Sequence, residues 1–380
     1  MLLSDLVSPE FEAAAAFADG PICLAVSGGG DSMALLALAA TWAKTASREL
    51  LVLTVDHGLR AEGAEEAVFV AREAQALGLA HRTLEWHAPA AAQAKARRAR
   101  HALLADAARS AGARLILTGH TLDDDLETFL MRARRGSGWR GLAGMGRGSA
   151  SPVWPAGRTL MIARPLLGLS RLQLRDALKD FGASWVEDPT NENTAYERVR
   201  WRRHLTDKPS LRGRVQGLQE DLKMLRRLES RALARWLTQE VSAEPDGSLM
   251  ASLAGLSAPA TEPALDLLIQ IAAGRDRRPD AQRLRRLAED VERGGSDTAC
   301  TLGGAWIERT GNQLLIARDP GLVEPGDGDV WDGRFVREAG APQITPTARM
   351  TRGTLPPDED GWRCLAPERL TLTACALLAY

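Results

Sequence analysis

Short unbroken apolar runs alternate with longer stretches of helical period through the first two hundred residues. Ile22-Cys23-Leu24-Ala25-Val26, Leu50-Leu51-Val52-Leu53-Thr54-Val55 and 114–118 (RLILT) are continuous rather than alternating, the pattern of strands covered on both faces, and 81–86 reads as another strand. Between them, 33–44 is rich in Ala and Leu, 64–77 ends at Gly78 and 91–110 ends at Gly112, which suits helices with glycine stops. Strands separated by helices predict an α/β fold with a mainly parallel, doubly wound sheet. A later helix is expected from Ser170, its N-cap, to Phe181, with Gly182 as its stop. Past residue 212 the period changes. Leu218, Leu222, Leu225, Ala232, Leu233 and Trp236 recur at helical spacing and predict an amphipathic helix over 215–240, with more helices over 261–273 and 280–292. The stretch 300–316 reads as a hairpin turning at Thr310-Gly311-Asn312. The expected organisation is therefore an α/β domain over 1–211, a mostly helical accessory domain over 212–320, and a small β-containing part over 321–380.

The chemistry concentrates where strands end. Ser27-Gly28-Gly29-Gly30-Asp31-Ser32 joins a buried strand to a helix, where first-turn amides lack partners and the dipole favours an anion. Three glycines alone are more often an ordinary turn with an N-cap serine. Asp31 inside such a cradle changes the reading, because it repels bare phosphate unless a cation intervenes, and so implies a metal-bound polyphosphate. No lysine follows the glycines, so this is not the GxxxxGK[ST] loop, nor is it GxGxxG. The string resembles the SGGxDS loop of the PP-loop ATP pyrophosphatases, which split ATP into AMP and pyrophosphate while adenylating a substrate.

Two more segments should meet the cradle on the same rim. Asp56-His57-Gly58-Leu59-Arg60 follows the second strand, a place suited to a base and ribose. In Gly119-His120-Thr121-Leu122-Asp123-Asp124-Asp125-Leu126-Glu127-Thr128 the acids open a helix; capping needs fewer of them. His120, Asp124 and Glu127 are spaced to share one helical face, and acids so grouped invite Mg²⁺ or an ammonium group. The glycine-rich stretch 138–157 is expected to be a mobile loop over the site.

Charge narrows the partners. Lysine and arginine number 48 against 49 aspartate and glutamate, a net of −1, so a nucleic acid must be met by a local basic face. Two such faces exist, with Lys95, Arg97, Arg98, Arg100 and Arg109 on one helix and Arg198, Arg200, Arg202, Arg203 and His204 on another. The four cysteines are scattered, against a zinc ribbon, an iron–sulfur cluster or a disulfide framework. The N-terminus lacks a basic start, and the apolar runs are too short for a membrane span, so a cytoplasmic location is expected.

Taken together, SGGGDS (27–32), VDHGLR (55–60), GHTLDDDLET (119–128), RGSG (135–138) and EDPTN (187–191) with the arginines after it resemble the bacterial tRNA(Ile)-lysidine synthetase family over roughly the first 210 residues. The segment 300–316 is also similar to a hairpin in that family's second domain. The resemblance implies a two-step ligation on the wobble cytidine of an isoleucine tRNA with a CAU anticodon. The base C2 oxygen attacks the ATP α-phosphate, releasing pyrophosphate; the side-chain amine of free L-lysine then attacks C2 and AMP leaves, giving lysidine.

By the same resemblance Ser27, Gly28, Gly29, Gly30, Asp31 and Ser32, with Asp56 and His57, bind ATP, and Asp31 holds Mg²⁺ directly or through water. His120, Asp124 and Glu127 bind lysine, with Asp31, Asp124 and His120 as the catalytic groups. Arg97, Arg100, Arg135, Arg198, Arg202 and Arg203 serve tRNA or phosphate; a homodimer is an admissible assembly. The chain departs from the family at Asp125, where Gln is common, and at Val199, where Asn often stands. A tRNA thiolase shares the loop but needs cysteines on the rim, an amidotransferase needs a glutaminase unit, and a non-catalytic RNA-binding module would not need Asp31, Asp124 and Glu127 together.

Overall fold

The computed structural model describes residues 3–56, 58, 61–86, 93–187, 193–294, 298–324, 329–337 and 362–379. His57 and 188–191 of the EDPTN string lie outside the described residues. The chain divides into two compact units, Met1–Ser151 with Leu160–Leu228 and Ala379–Tyr380, and Pro152–Thr159 with Glu229–Leu378. No described helix is long and apolar enough to cross a membrane.

The first unit runs α1 (Leu3–Ala15), β1 (Ile22–Ala25), α2 (Gly30–Ala46), β2 (Leu50–Asp56), α3 (Ala61–Ala76), β3 (Ala80–Glu85), α4 (Gln93–Ser110), β4 (Leu115–Thr118), α5 (Leu122–Arg134), α6 (Trp139–Leu142), β5 (Gly148–Ala150), β6 (Met161–Ala163), α7 (Arg171–Asp180), α8 (Glu197–Asp207) and α9 (Pro209–Glu240). Its six-stranded sheet has the order β3-β2-β1-β4-β6-β5, parallel except for the antiparallel edge strand β5. Ile22, Cys23 and Leu24 of β1 and all of β4 are buried, as unbroken apolar runs require of central parallel strands. From β1 the chain runs outward through β2 to β3 on one side and then crosses back to β4 on the other side of β1. That reversal opens a crevice beyond the carboxyl end of β1, where the glycine loop stands.

Two local contacts shape the crevice. Gly28 has φ +88°, which only glycine adopts without strain. A Cβ on Gly119 would stand 2.8 Å from the Asp31 carbonyl oxygen, so the missing side chain is what lets the end of β4 lie against the glycine loop.

The stretch 138–157 corrects the expectation of a mobile loop over the site. It forms α6 and then β5, held by Arg132, which donates to the carbonyls of Gly141 at 2.7 Å and Gly144 at 3.2 Å, and by Asp125, whose Oδ1 accepts the Met145 amide at 2.7 Å. Residues 152–159 belong to the second unit, where the Trp154 amide donates to Asp276 at 3.1 Å.

The second unit contains β7 (Val241–Ala243), β8 (Leu249–Ser252), α10 (Ala258–Ala272), α11 (Ala281–Glu292), β9 (Thr298–Leu302), β10 (Ala305–Thr310), β11 (Gln313–Arg318), β12 (Val330–Trp331), β13 (Phe335–Arg337), β14 (Trp362–Cys364) and α12 (Ala366–Leu378). The expected hairpin is present as β10 and β11, paired through Thr310 and Gln313, but within a five-stranded antiparallel sheet of order β7-β8-β11-β10-β9. The boundaries differ from those read from composition. α9 is one helix through 211–212 and changes unit only after Leu228. The C-terminal part is not separate either, since Ala366 is buried in the same apolar cluster as Leu265, Leu268 and Ile316, with Leu370 and Leu377 packed against it.

Asp125, fully buried, is the clearest stabilising contact in the first unit. Its Oδ2 lies 2.6 Å from Lys223 Nζ of α9, and its own carbonyl accepts from Gln219 at 3.2 Å. Removing one partner of such a pair strands the other charge, so Asp125→Ala should cost about 3 kcal/mol or more. The check is urea unfolding of the variant beside Asp125→Asn, which keeps the acceptor for Met145 and should lose less. An unchanged midpoint for Asp125→Ala would contradict the tie.

Candidate active site at the carboxyl ends of the parallel strands

The glycine loop is organised by its own serines. Ser32 Oγ donates to the Gly29 carbonyl at 2.8 Å and accepts from the Ser27 amide at 3.1 Å, while the Val186 amide donates to the Gly28 carbonyl at 3.0 Å. Gly29 stands at the N-cap of α2 with no side-chain cap, so the amides opening the 17-residue helix are turned to the crevice without a side-chain acceptor from that position. This is the geometry of an anion cradle.

Asp31, in the first turn of α2, faces α5. Thr121 caps that helix, and Asp124 answers it, its Oδ2 accepting from the Thr121 amide and hydroxyl at 3.0 Å each. Capping thus does explain Asp124, but only one of its oxygens. The other oxygen, Oδ1, lies 2.5 Å from Arg171 Nη2, and the same guanidinium donates to Glu127 Oε1 at 2.6 Å and to Asp31 Oδ2 at 3.1 Å. Glu127 Oε1 also accepts from Arg202 Nε at 2.9 Å, and its Oε2 stands 3.2 Å from Arg198 Nε. One guanidinium therefore joins the acid of the cradle, Asp31, to two acids of α5.

The charges follow from these neighbours. Burial alone would raise the Asp124 pKa, but Arg171 and the Thr121 amide outweigh it and hold the carboxyl below its usual range. Asp31 goes the other way: burial raises it, and Asp124 adds to the rise, against the pull of Arg171. His120 precedes the α5 cap instead of sharing a helical face with Asp124 and Glu127, and its Nδ1 lies 2.9 Å from Thr118 Oγ1. Burial, then Arg164, Arg97 and Arg198, push it down to about 4 against the opposing Asp124 charge. His101 on α4 is likewise lowered to about 4 by burial and by Arg100, Arg97, His120 and Arg164. The surroundings of His101 and His120 are thus strongly positive, and burial with Arg97 beside it lowers Arg100 too.

The remaining expected residues separate. Asp56 ends β2 on the rim, where its Oδ1 accepts the Gly58 amide at 2.9 Å. Arg198 and Arg202 turn into the acid cluster, Arg198 also donating to Thr128 Oγ1 at 3.1 Å, whereas Arg203, one residue on, is exposed. Arg135 is drawn to Glu197 of α8 at 2.9 Å, which Arg134 also reaches at 2.8 Å. A cavity of about 270 Å³ opens beside α5, lined by Leu122, Met145, Gln216, Glu220 and Lys223. Its lining contains none of Asp31, Asp124 and Glu127.

A PP-loop domain model matches residues 6–209, more than half of the chain. A tRNA(Ile)-lysidine synthase from Hyphomonas neptunium is 46% identical over 308 residues, 81% of this chain and 84% of that one. The chain belongs to the tRNA(Ile)-lysidine synthase family. Members from Caulobacter vibrioides, 34% identical over 91% of this chain and 81% of its own length, and from Ruegeria pomeroyi, 36% identical over 82% and 75%, agree.

Two residues have roles in the structure that the sequence reading does not assign. Asp125, the departure from the common Gln, is structural, tied to Lys223 and Met145 away from the crevice. Arg171 was missed altogether. Its signal was a cation in the first turn of a helix, where the dipole disfavours it, directly after a good N-cap at Ser170. Cys23, in the middle of β1, has its thiol pushed up to about 12 by burial against the opposing Arg82 charge, which leaves it inert and unlike a sulfur carrier.

The two depressed histidines give a pH dependence. Folded His101 and His120 stay neutral until about pH 4, while unfolded histidine takes up its proton near 6.5. The unfolded state therefore binds more protons between these values, and stability should fall as pH drops from about 6.5 toward 4. Thermal unfolding across that window should show the decline, made shallower by His120→Gln and shallower still with His101→Gln added; parallel curves for all three proteins would contradict the assignment.

Proposed function

We propose that this chain uses ATP to ligate free L-lysine to C2 of the wobble cytidine in the CAU anticodon of an isoleucine tRNA, through an adenylated cytidine, in the cytoplasm. The observation that carries this reading is the juxtaposition of an anion cradle with Asp31, Asp124 and Glu127 on one rim, in a chain of this family.

In the first step the cradle amides and Ser32 hold the triphosphate so that the pyrophosphate leaves against fixed donors, an electrostatic role that needs no reorganisation. Among the described residues no three acids, histidines or cysteines are gathered as a metal cage. One carboxylate beside a phosphate cradle is nonetheless the donor set of Mg²⁺ carried in on a polyphosphate, and Asp31 is the residue that would hold it. The ion would offset the charge that builds on the leaving group.

In the second step Asp124 and Glu127 receive the ammonium of lysine. That amine must lose a proton before it attacks. His120 is neutral at pH 7, with Nδ1 at 2.9 Å from Thr118 Oγ1, and it sits within electrostatic reach of Asp124; this supports a role in orienting the amine or relaying its proton. Arg97, Arg100 and Arg198 supply positive charge for phosphate, while Arg203 and Arg135 on the exposed side suit tRNA backbone.

Pyrophosphate release from ATP should depend on an unmodified isoleucine tRNA transcript, and labelled lysine should enter that RNA. Asp31→Ala should lower adenylation by about 10²-fold or more, and Asp124→Ala should spare adenylation more than lysine transfer. Release without lysine entry, or equal loss of both steps in Asp124→Ala, would contradict the assignment. Arg203→Ala should weaken tRNA binding and reduce the salt slope by about one, whereas Arg202→Ala should act mainly on turnover; the reverse pattern, read from filter binding across salt, would exchange their roles.

A further inference from the structure

Three of the four carboxylate oxygens of Asp124 and Glu127 are already hydrogen-bonded, and the fourth, Glu127 Oε2, is buried with Arg198 Nε 3.2 Å away but accepts no hydrogen bond among the described residues. Asp124 gives Oδ1 to Arg171 and Oδ2 to Thr121; Glu127 gives Oε1 to Arg171 and Arg202, with Arg198 beside Oε2. Arg171 is itself mostly buried, its side chain 17% exposed, and its backbone amide is fixed to Asp123 Oδ2 at 2.8 Å. A lysine ammonium brings the same unit charge and three donors; Glu127 Oε2 offers it a single acceptor, so it can satisfy more than one donor on these acids only where a guanidinium leaves. Leaving is unfavourable unless another anion takes the guanidinium over, because a buried charge stripped of its partners costs several kcal/mol.

The anion is at hand. Arg171 Nε already bonds Asp31, within the loop whose amides form the cradle. A triphosphate in the cradle would present oxygens of higher charge density to the same guanidinium, and a cation accompanying it would compete for Asp31.

We propose that Arg171 stands in for the lysine ammonium in the nucleotide-free site and passes to the nucleotide phosphates when ATP binds, so that Asp124 and Glu127 become available to lysine only then. Arg171 is on this account a positioning residue that couples the two subsites. The inference rests on the reading of Asp124 and Glu127 as the lysine acids.

The coupling is reciprocal and measurable. Calorimetric titration of the wild-type protein with L-lysine should show affinity about tenfold higher in the presence of Mg²⁺ and α,β-methylene ATP than without them, a factor within the usual range of coupling. Arg171→Gln, which keeps the backbone amide that bonds Asp123, should bind lysine without nucleotide as tightly as the wild type does with it, and the coupling should vanish. Arg171→Lys, which keeps a charge but loses the three-way fork, should show intermediate coupling. Circular dichroism melts identify a variant that fails to fold, in which case the wild-type titration decides alone. Lysine affinity indifferent to the nucleotide in wild-type protein, or coupling intact in Arg171→Gln, would overturn the stand-in role. If such protein still incorporates lysine into the tRNA, the functional reading survives; if lysine neither binds in any state nor enters the tRNA, both fall.

Discussion

The site depends on a charge balance that burial enforces. Asp31, Asp124 and Glu127 come from the starts of two helices and converge within hydrogen-bonding distance of one guanidinium, with two more arginines closing on Glu127. Three acids and three guanidinium groups gathered this closely are tolerable only because they cancel, since an uncompensated charge in such a place would either shift its pKa or unfold the element that carries it. The same balance makes the site responsive. Any ligand that adds charge must displace or recruit one of the resident ions, and a triphosphate with a lysine adds both signs.

Position in the sheet explains why these groups meet. Parallel strands end on one rim, and the reversal of connection direction beside β1 leaves a crevice there, so residues far apart in sequence share one wall. Thr121 and Ser170 cap the two helices that carry Asp124 and Arg171, and each cap is closed by a reciprocal bond from the third helical residue. Capping and the charged cluster therefore draw on the same residue: Asp124 satisfies the helix terminus with one oxygen and meets Arg171 with the other.

Much of this was legible from residue order alone. Continuous apolar runs marked β1, β2 and β4, glycine stops marked the helix ends, and the cradle was evident because glycines and acids occupy a strand-to-helix junction. Short elements were not. β5 and β6 have three residues each and owe their existence to pairing with one another and with β4, a tertiary effect invisible to local periodicity. The continuity of α9 was hidden by a change in composition near 212, which altered the surface but not the helix. Arg198 and Arg202 lie four apart and Arg203 is turned about 100° from Arg202 by helical geometry, so their separation into inward and outward groups was available in the spacing. Arg171 was unreadable as a site residue because its partners lie 44, 47 and 140 positions away.

The most direct test is a crystal structure of the chain with Mg²⁺, α,β-methylene ATP and L-lysine. The account requires the triphosphate on the glycine loop of residues 27–32, the ε-ammonium against Asp124 and Glu127, and the Arg171 guanidinium moved to phosphate. A nucleotide bound away from that loop, with its glycines only turning the chain and Arg171 still holding all three acids, would contradict it.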